Sequence, residues 1–238
     1  MPISRSSIYA LKLDFKMDEV LFSQIVKSLT YERQRKVNNF RKREDAIRCI
    51  FADLLAKYAI QQFHGCTLDQ ITIEIGDHGK PIASYPNNVH FNVSHAGIWV
   101  VCIVDEQPVG IDVEQIQVVD LEIARDFFMK EEYDFIIDST DIEGQYRRFF
   151  QIWTMKECYV KAIGEGLNKS LQSFSVHYYE QNQPIIHDYS LKQPYPWQYE
   201  QWMLPDEYIL SAASQTKSKP IIFLEKEKVL FQIRDFIE

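Results

Sequence analysis

The 238-residue chain reads as an α+β protein, and three observations carry that expectation. Two long stretches, Glu44 to about His64 and about Gln145 to Ile163, repeat apolar residues at helical spacing. Short runs such as Ser7–Phe15 and Val89–Val93 alternate apolar and polar residues, as half-buried strands do. Both kinds of segment occur in both halves without the regular alternation of a parallel sheet, and no linker or internal repeat divides them. The expectation is two similar-sized halves, tightly packed.

Composition narrows the function classes. The length is ample for a real core. A formal net charge of −8 argues against wholesale nucleic-acid binding. Cys49, Cys66, Cys102 and Cys158 are scattered with no CxxC and no His/Cys ligand spacing, which points to reduced thiols rather than disulfides or zinc. No basic-then-apolar leader and no run near ~18 apolar residues is present, so a cytoplasmic chain without a membrane span is expected.

In order, Ser7–Phe15 is the first strand. Asp18 suits the cap of a helix carrying Val20, Leu21, Ile25, Val26 and Leu29, and Thr30 caps the next without a full capping box. Arg33 to Arg43 holds six basic residues and no acid. That run reads either as a solvated helix face with its turn or as an anion site. Ala46, Ile50, Leu54, Tyr58 and Phe63 then stripe one long helix, which Gly65 ends.

Ile71, Ile73 and Ile75 alternate as a strand, Gly76-Asp77-His78-Gly79 is a turn, and Pro81 keeps Lys80 extended. Val89, Phe91 and Val93 lead to Asn92, Ser94 and His95 at a strand end. Ile98–Val104 is apolar enough for a central strand, expected to form a hairpin with the Val109 strand through Asp105-Glu106-Gln107-Pro108. Leu121–Phe128 and Lys130–Ile137 read as short helices, and Asp138–Gly144 as a polar loop. After the Gln145 helix, Phe174–Tyr178, Ile185–Leu191, Tyr199–Met203, Tyr208–Ala212 and Pro220–Leu224 are strand candidates before a helical tail.

The chemistry concentrates in Val109–Lys161. Val109, Ile111 and Val113 alternate with Gly110, Asp112 and Glu114, so both carboxylates share one strand face. Trp153, Glu157 and Lys161 recur every four residues and share one helix stripe. Packed together, with Lys156 beside them, they would form an oxygen-only cluster suited to Mg²⁺ or Mn²⁺ and a phosphorylated substrate. The same residues also read as two acids on a solvated strand and an ordinary i,i+4 pair worth ~0.3–0.5 kcal/mol.

Val109-Gly110-Ile111-Asp112, about forty intervening residues, then Trp153-Thr154-Met155-Lys156-Glu157-Cys158-Tyr159-Val160-Lys161 resembles the bipartite pattern of the 4'-phosphopantetheinyl transferases. Cys158 departs from the usual Ala or Ser and is small enough to pack. Phe40 with Glu44-Asp45-Ala46, Gly79-Lys80-Pro81, Phe91-Asn92-Val93-Ser94-His95 and Phe174-Ser175-Val176 resemble the longer Sfp type. Cys49 replaces a hydroxyl residue common at its position in that type.

The resemblance implies two pseudo-symmetric halves, 1–107 and 108–238, in one monomeric chain, with coenzyme A in the cleft between them. The phosphopantetheine arm would move to a serine of an apo acyl or peptidyl carrier protein, releasing 3',5'-ADP. Asp112, Glu114 and Glu157 would hold Mg²⁺, with Asp112, Glu157 and Lys161 catalytic, Glu157 as base and Lys161 at the leaving phosphate. Arg33, Lys36, Arg48, Lys80, Ser94, His95 and Lys156 would bind coenzyme A, and the carrier would dock near Phe40 and Gln115–Leu121. Which carrier is served stays open: fatty-acid, polyketide, nonribosomal peptide or lysine-pathway. Two other activities fit the same residues, a Mg²⁺-dependent CoA or nucleotide pyrophosphohydrolase and a catalytically silent CoA-dependent carrier-binding scaffold.

Overall fold

A computed structural model describes residues 6–76, 79–178, 183–191 and 196–237. Asp77 and His78, at the centre of the expected turn, lie outside them; the flanks close through Gly76 N–H to Lys80 O at 2.9 Å and Gly79 N–H to Gly76 O at 3.2 Å. The fold is α+β.

The first half runs β1 (Ser7–Lys12), α1 (Glu19–Ser28), α2 (Tyr31–Asn38), α3 (Arg43–His64), β2 (Thr72–Ile75), β3 (Pro81–Tyr85), β4 (His90–Ala96) and β5 (Trp99–Asp105). The second runs β6 (Gly110–Gln115), α4 (Glu122–Phe127), α5 (Lys130–Ile137), α6 (Ile142–Ile163), β7 (Phe174–Tyr178), β8 (Pro184–Asp188), β9 (Gln198–Leu204) and β10 (Tyr208–Ser214). One path thus occurs twice: a strand, two short helices, a long helix, a two-stranded ribbon, and a hairpin whose last strand pairs with the first. Hydrogen bonding gives the orders β1-β5-β4 and β6-β10-β9, all antiparallel, with β2-β3 and β7-β8 as the ribbons. β3 begins at Pro81 and pairs with β2, an element that alternation did not reveal.

The caps behave as their side chains require. Asp18 Oδ1 accepts from Leu21 N–H at 2.9 Å, and Thr30 Oγ1 from Arg33 N–H at 3.4 Å. Asp141 accepts from Gly144 N–H at 2.6 Å, so α6 starts three residues earlier than the expected Gln145. Both long helices end on a left-handed glycine, Gly65 at φ 82° and Gly164 at φ 77°.

The β5–β6 hairpin does not form. β5 is fully buried with β1 on one edge and β4 on the other, so it has no edge left to offer. Residues 106–109 instead carry the chain into a second sheet, and β5 makes its hairpin with β4 through Gly97-Ile98.

After β10 the chain crosses back. β11 (Ile222–Leu224) pairs parallel to β1, and α7 (Lys226–Ile237) packs on α1 and α3. These last elements therefore attach to the first half, although the expected division counted them with the second. No described helix is long and apolar enough to cross a membrane. All four cysteines are free and buried.

Among the described residues, three cores hold the layers. β1 gives Tyr9 and Leu11, with Leu13 just after it, to the core beneath α3, and Ile8 and Ala10 to a core shared with Ile111 and Val113 of β6 and with Val109 just before it. Aromatic residues, including Phe128, Phe149 and Tyr159, fill the third core around α6. β4 packs along β6 with no ladder between them; Asn92 Oδ1 instead accepts the Ile111 N–H at 2.9 Å across the junction.

Candidate active site

The alternation of β6 decides which residues meet α6. With Val109, Ile111 and Val113 committed to the shared core, Gly110, Asp112 and Glu114 turn the other way. A Cβ at Gly110 would lie 1.9 Å from Cys158 O and 2.5 Å from Ala162 N, so only glycine lets the helix backbone come this close. Cys158 is fully buried at this contact. The approach sets Glu157 and Lys161 beside Asp112 and Glu114.

Ser94 and His95 arrive from β4. Together with Val93 and Trp153, these residues line a pocket of about 360 Å³ at the junction of the halves. Trp153 is its apolar wall, held by stacking on Phe149 with centroids 5.9 Å apart.

Asp112 is the hub. Its Oδ1 accepts from Lys161 Nζ at 2.6 Å and Ser94 Oγ at 2.8 Å, and Lys161 Nζ also reaches Ser94 Oγ at 3.2 Å. Its Oδ2 is buried with no hydrogen-bond partner, an orphan acceptor that a hard cation would satisfy. Burial raises the Glu157 carboxyl above its ordinary value, and the Asp112 charge adds to that. Glu114 is pushed up to about 7, by burial and then by Asp112 and Glu157. Burial alone would depress the Lys161 ammonium, yet the charge and hydrogen bond of Asp112 win and raise it. The cluster is thus an acid-rich site with one retained cation.

The donor set suits an oxygen-seeking cation in type. Among the described residues, no three His, Cys, Asp or Glu side chains are drawn together into a ready metal cage; Asp112 gives one oxygen to Lys161 and Ser94 instead.

The anion residues divide. Burial lowers the His95 pKa, and the charges of Arg48, Lys161 and Lys36 lower it further, so these cations share one neighbourhood. Lys36 is exposed on α2. Arg48 is committed to Asp45 and donates to Gly97 O at 2.7 Å. Arg33 is ion-paired with Asp53, with its Nε at 2.8 Å. Lys80 donates to Lys161 O at 2.5 Å and Val109 O at 3.4 Å, tying the end of α6 to β6, and burial lowers it to about 8.

Lys156 corrects the sequence expectation. It is fully buried away from the pocket, pairs with Glu132 at 2.8 Å and donates to Leu171 O and Phe174 O at 2.7 and 2.8 Å. Consecutive helix residues point about 100° apart, so Lys156 and Glu157 cannot face one site. Glu132 also accepts from Met129 and Val176 N–H groups at 2.8 and 2.7 Å, which pins α5 and β7 to α6. Nothing in the spacing of Glu132 signalled this. Asn92 left a faint signal, an amide between Phe91 and Val93 in an otherwise apolar alternation.

Known proteins match most of this path. A family model for the 4'-phosphopantetheinyl transferase superfamily matches residues 108–213, and one for the 4'-phosphopantetheinyl transferase N-terminal region matches residues 16–107. The chain is 34% identical to 4'-phosphopantetheinyl transferase Sfp of Bacillus subtilis (strain 168), covering 75% of this chain and 80% of that one. It is 35% identical to 4'-phosphopantetheinyl transferase psf-1 of Bacillus pumilus over 75% and 78% of the two chains. It is 29% identical to the L-aminoadipate-semialdehyde dehydrogenase-phosphopantetheinyl transferase of Candida glabrata, covering 74% of this chain and 69% of that one. With both halves matched and about a third of the aligned residues identical to those of such relatives, the chain belongs to the 4'-phosphopantetheinyl transferase superfamily as an enzyme of the Sfp type.

Proposed function

We propose that the pocket between β4, β6 and α6 is where this transferase moves the 4'-phosphopantetheine arm of coenzyme A onto a serine of an apo acyl or peptidyl carrier protein. The observation that carries this reading is the convergence of Asp112, Glu114, Glu157 and Lys161 on one pocket. The serine oxygen bonds to the phosphorus that bears the arm, the phosphoanhydride bond breaks, and 3',5'-ADP leaves.

Glu157, whose carboxyl is raised by burial and by Asp112, takes the serine proton. Lys161, kept charged by Asp112, faces the negative charge that grows on the leaving phosphate. Ser94 and His95 hold the substrate phosphates from β4. Exposed Lys36, with Arg33 beside Asp53, gives positive charge for the 3'-phosphate, and Arg48 supports that edge of the site. Mg²⁺, with Mn²⁺ as substitute, would be held by Asp112, Glu114 and Glu157 and would neutralise the pyrophosphate charge.

We place the enzyme in the cytoplasm as a monomer, serving carriers of nonribosomal peptide and polyketide synthesis and so of antibiotic biosynthesis. Its four free thiols support a reducing compartment. Mass spectrometry after incubation with apo-carrier, coenzyme A and Mg²⁺ tests the reading: the carrier should gain one phosphopantetheine. Free phosphopantetheine with an unmodified carrier would make the chain a hydrolase, and no product at all would make it a scaffold. A panel of carriers assayed for relative rate identifies the pathway.

A further inference from the structure

The pocket is composite: Ser94 and His95 come from the first half, the acids and Lys161 from the second. Its geometry therefore depends on how the β4–β5 turn, immediately after His95, is held against the second half. That turn is fixed from three sides. Leu13 N–H donates to Ile98 O at 2.7 Å, Arg48 donates to Gly97 O at 2.7 Å, and Ile98 N–H donates to the Tyr208 hydroxyl at 3.2 Å.

Leu13 and Arg48 belong to the same half as the turn; Tyr208 opens β10 in the other. It is almost fully buried in the core shared by the two sheets. Gly97 sits at φ +48°, and a Cβ there would lie 1.8 Å from the Tyr208 hydroxyl oxygen and 2.9 Å from its ring carbon. The hydroxyl thus occupies the space a side chain at Gly97 would need, and the glycine leaves room for it. Tyr208 does not line the pocket.

We propose that Tyr208 is a positioning residue for the transfer reaction: its hydroxyl locks the Gly97-Ile98 turn so that Ser94 and His95 stand at the right distance from Asp112. The inference rests on the reading that His95 and Ser94 hold coenzyme A. Loss of the hydroxyl loosens the β4 edge of the site and leaves Glu157 and Lys161, carried by α6, in place. Binding of coenzyme A suffers more than the chemical step.

The test is steady-state kinetics of the full chain with coenzyme A and an apo-carrier. Tyr208→Phe keeps the ring; the KM for coenzyme A should rise about five-fold, as expected for one lost hydrogen bond, with kcat changed by less than about two-fold. In a Tyr208→Phe, His95→Ala double variant, KM should rise by less than the product of the two single effects, because the hydroxyl acts in part through His95. Gly97→Ala should raise KM further, and adding Tyr208→Phe should recover part of the loss. An unchanged KM in Tyr208→Phe, effects that multiply in the double variant, or no recovery in the Gly97 pair would each overturn the inference. A His95→Ala variant with unaltered KM would remove His95 from the coenzyme A site and overturn it by that separate route.

Discussion

The helices α3 and α6 hold the same place in a path that occurs twice, and each has 22 residues and a left-handed glycine at its end. What lies beneath them differs. Under α3, β1 presents Tyr9 and Leu11 to a dry core; under α6, β6 presents Gly110, Asp112 and Glu114. α3 lies chiefly over the central strand β5, whereas α6 lies chiefly over β6. Gly110 permits that closer seat, and the closeness makes a site out of a core position. Topology supplies the scaffold twice, and a glycine with two acids in place of apolar side chains supplies the chemistry once. The cost of burying Asp112 is offset by its bonds to Lys161 and Ser94.

The largest test of this contrast removes the hub. Asp112→Asn keeps the shape and should lower kcat about a thousand-fold, on the scale of losing a main electrostatic stabiliser, with the circular dichroism spectrum retained. Gly110→Ala forces a methyl against the backbone of α6; transfer should fall about a hundred-fold as the helix is displaced. A Gly110→Ala enzyme with wild-type kcat would show that the close seat of α6 is irrelevant.

In the dry half, Leu11→Ala should cost about 2–5 kcal/mol of stability in urea unfolding yet leave kcat per folded molecule within about two-fold of wild type. A comparable stability loss is expected at the buried pair. Lys156→Met leaves the Glu132 charge uncompensated at about 3–5 kcal/mol, and adding Glu132→Gln, which removes the charge and keeps an acceptor for the Met129 and Val176 N–H groups, should recover part of it. If Lys156 bound phosphate instead, Lys156→Met would raise the KM for coenzyme A and spare stability.

The smallest effect concerns Lys80. Its folded pKa is about 8, against 10.5 for an ordinary lysine. Between those values the unfolded chain holds the extra proton, so this group makes stability rise as pH climbs from about 8 to 10.5. Lys80→Met should remove that component from the slope of denaturation midpoints with pH. An unaltered slope would mean that the ammonium is not desolvated at the α6–β6 tie.

The local part of this architecture was legible in the sequence. Alternation placed Asp112 and Glu114 on one face of β6, and four-residue spacing put Trp153, Glu157 and Lys161 on one stripe, because strand and helix periods are properties of neighbouring residues. Strand partners are not local. Asp105-Glu106-Gln107-Pro108 has the composition of a hairpin turn, but the vacancy that Val109–Val113 fills is beside β10, roughly a hundred residues away in the chain. Lys156 was misplaced for a different reason: its motif neighbours are chemical, and the 100° step between adjacent helix residues was outweighed by their proximity in sequence.

The return of β11 to β1 sets an order of events during synthesis. The sheet of the first half lacks its parallel edge strand until residues 222–224 have left the ribosome, long after α6 and the pocket residues have emerged. Domains generally settle as they emerge, yet here the half made first is the half completed last. A nascent chain halted shortly after β10 would carry every pocket side chain beside a β1 edge still open to foreign strands.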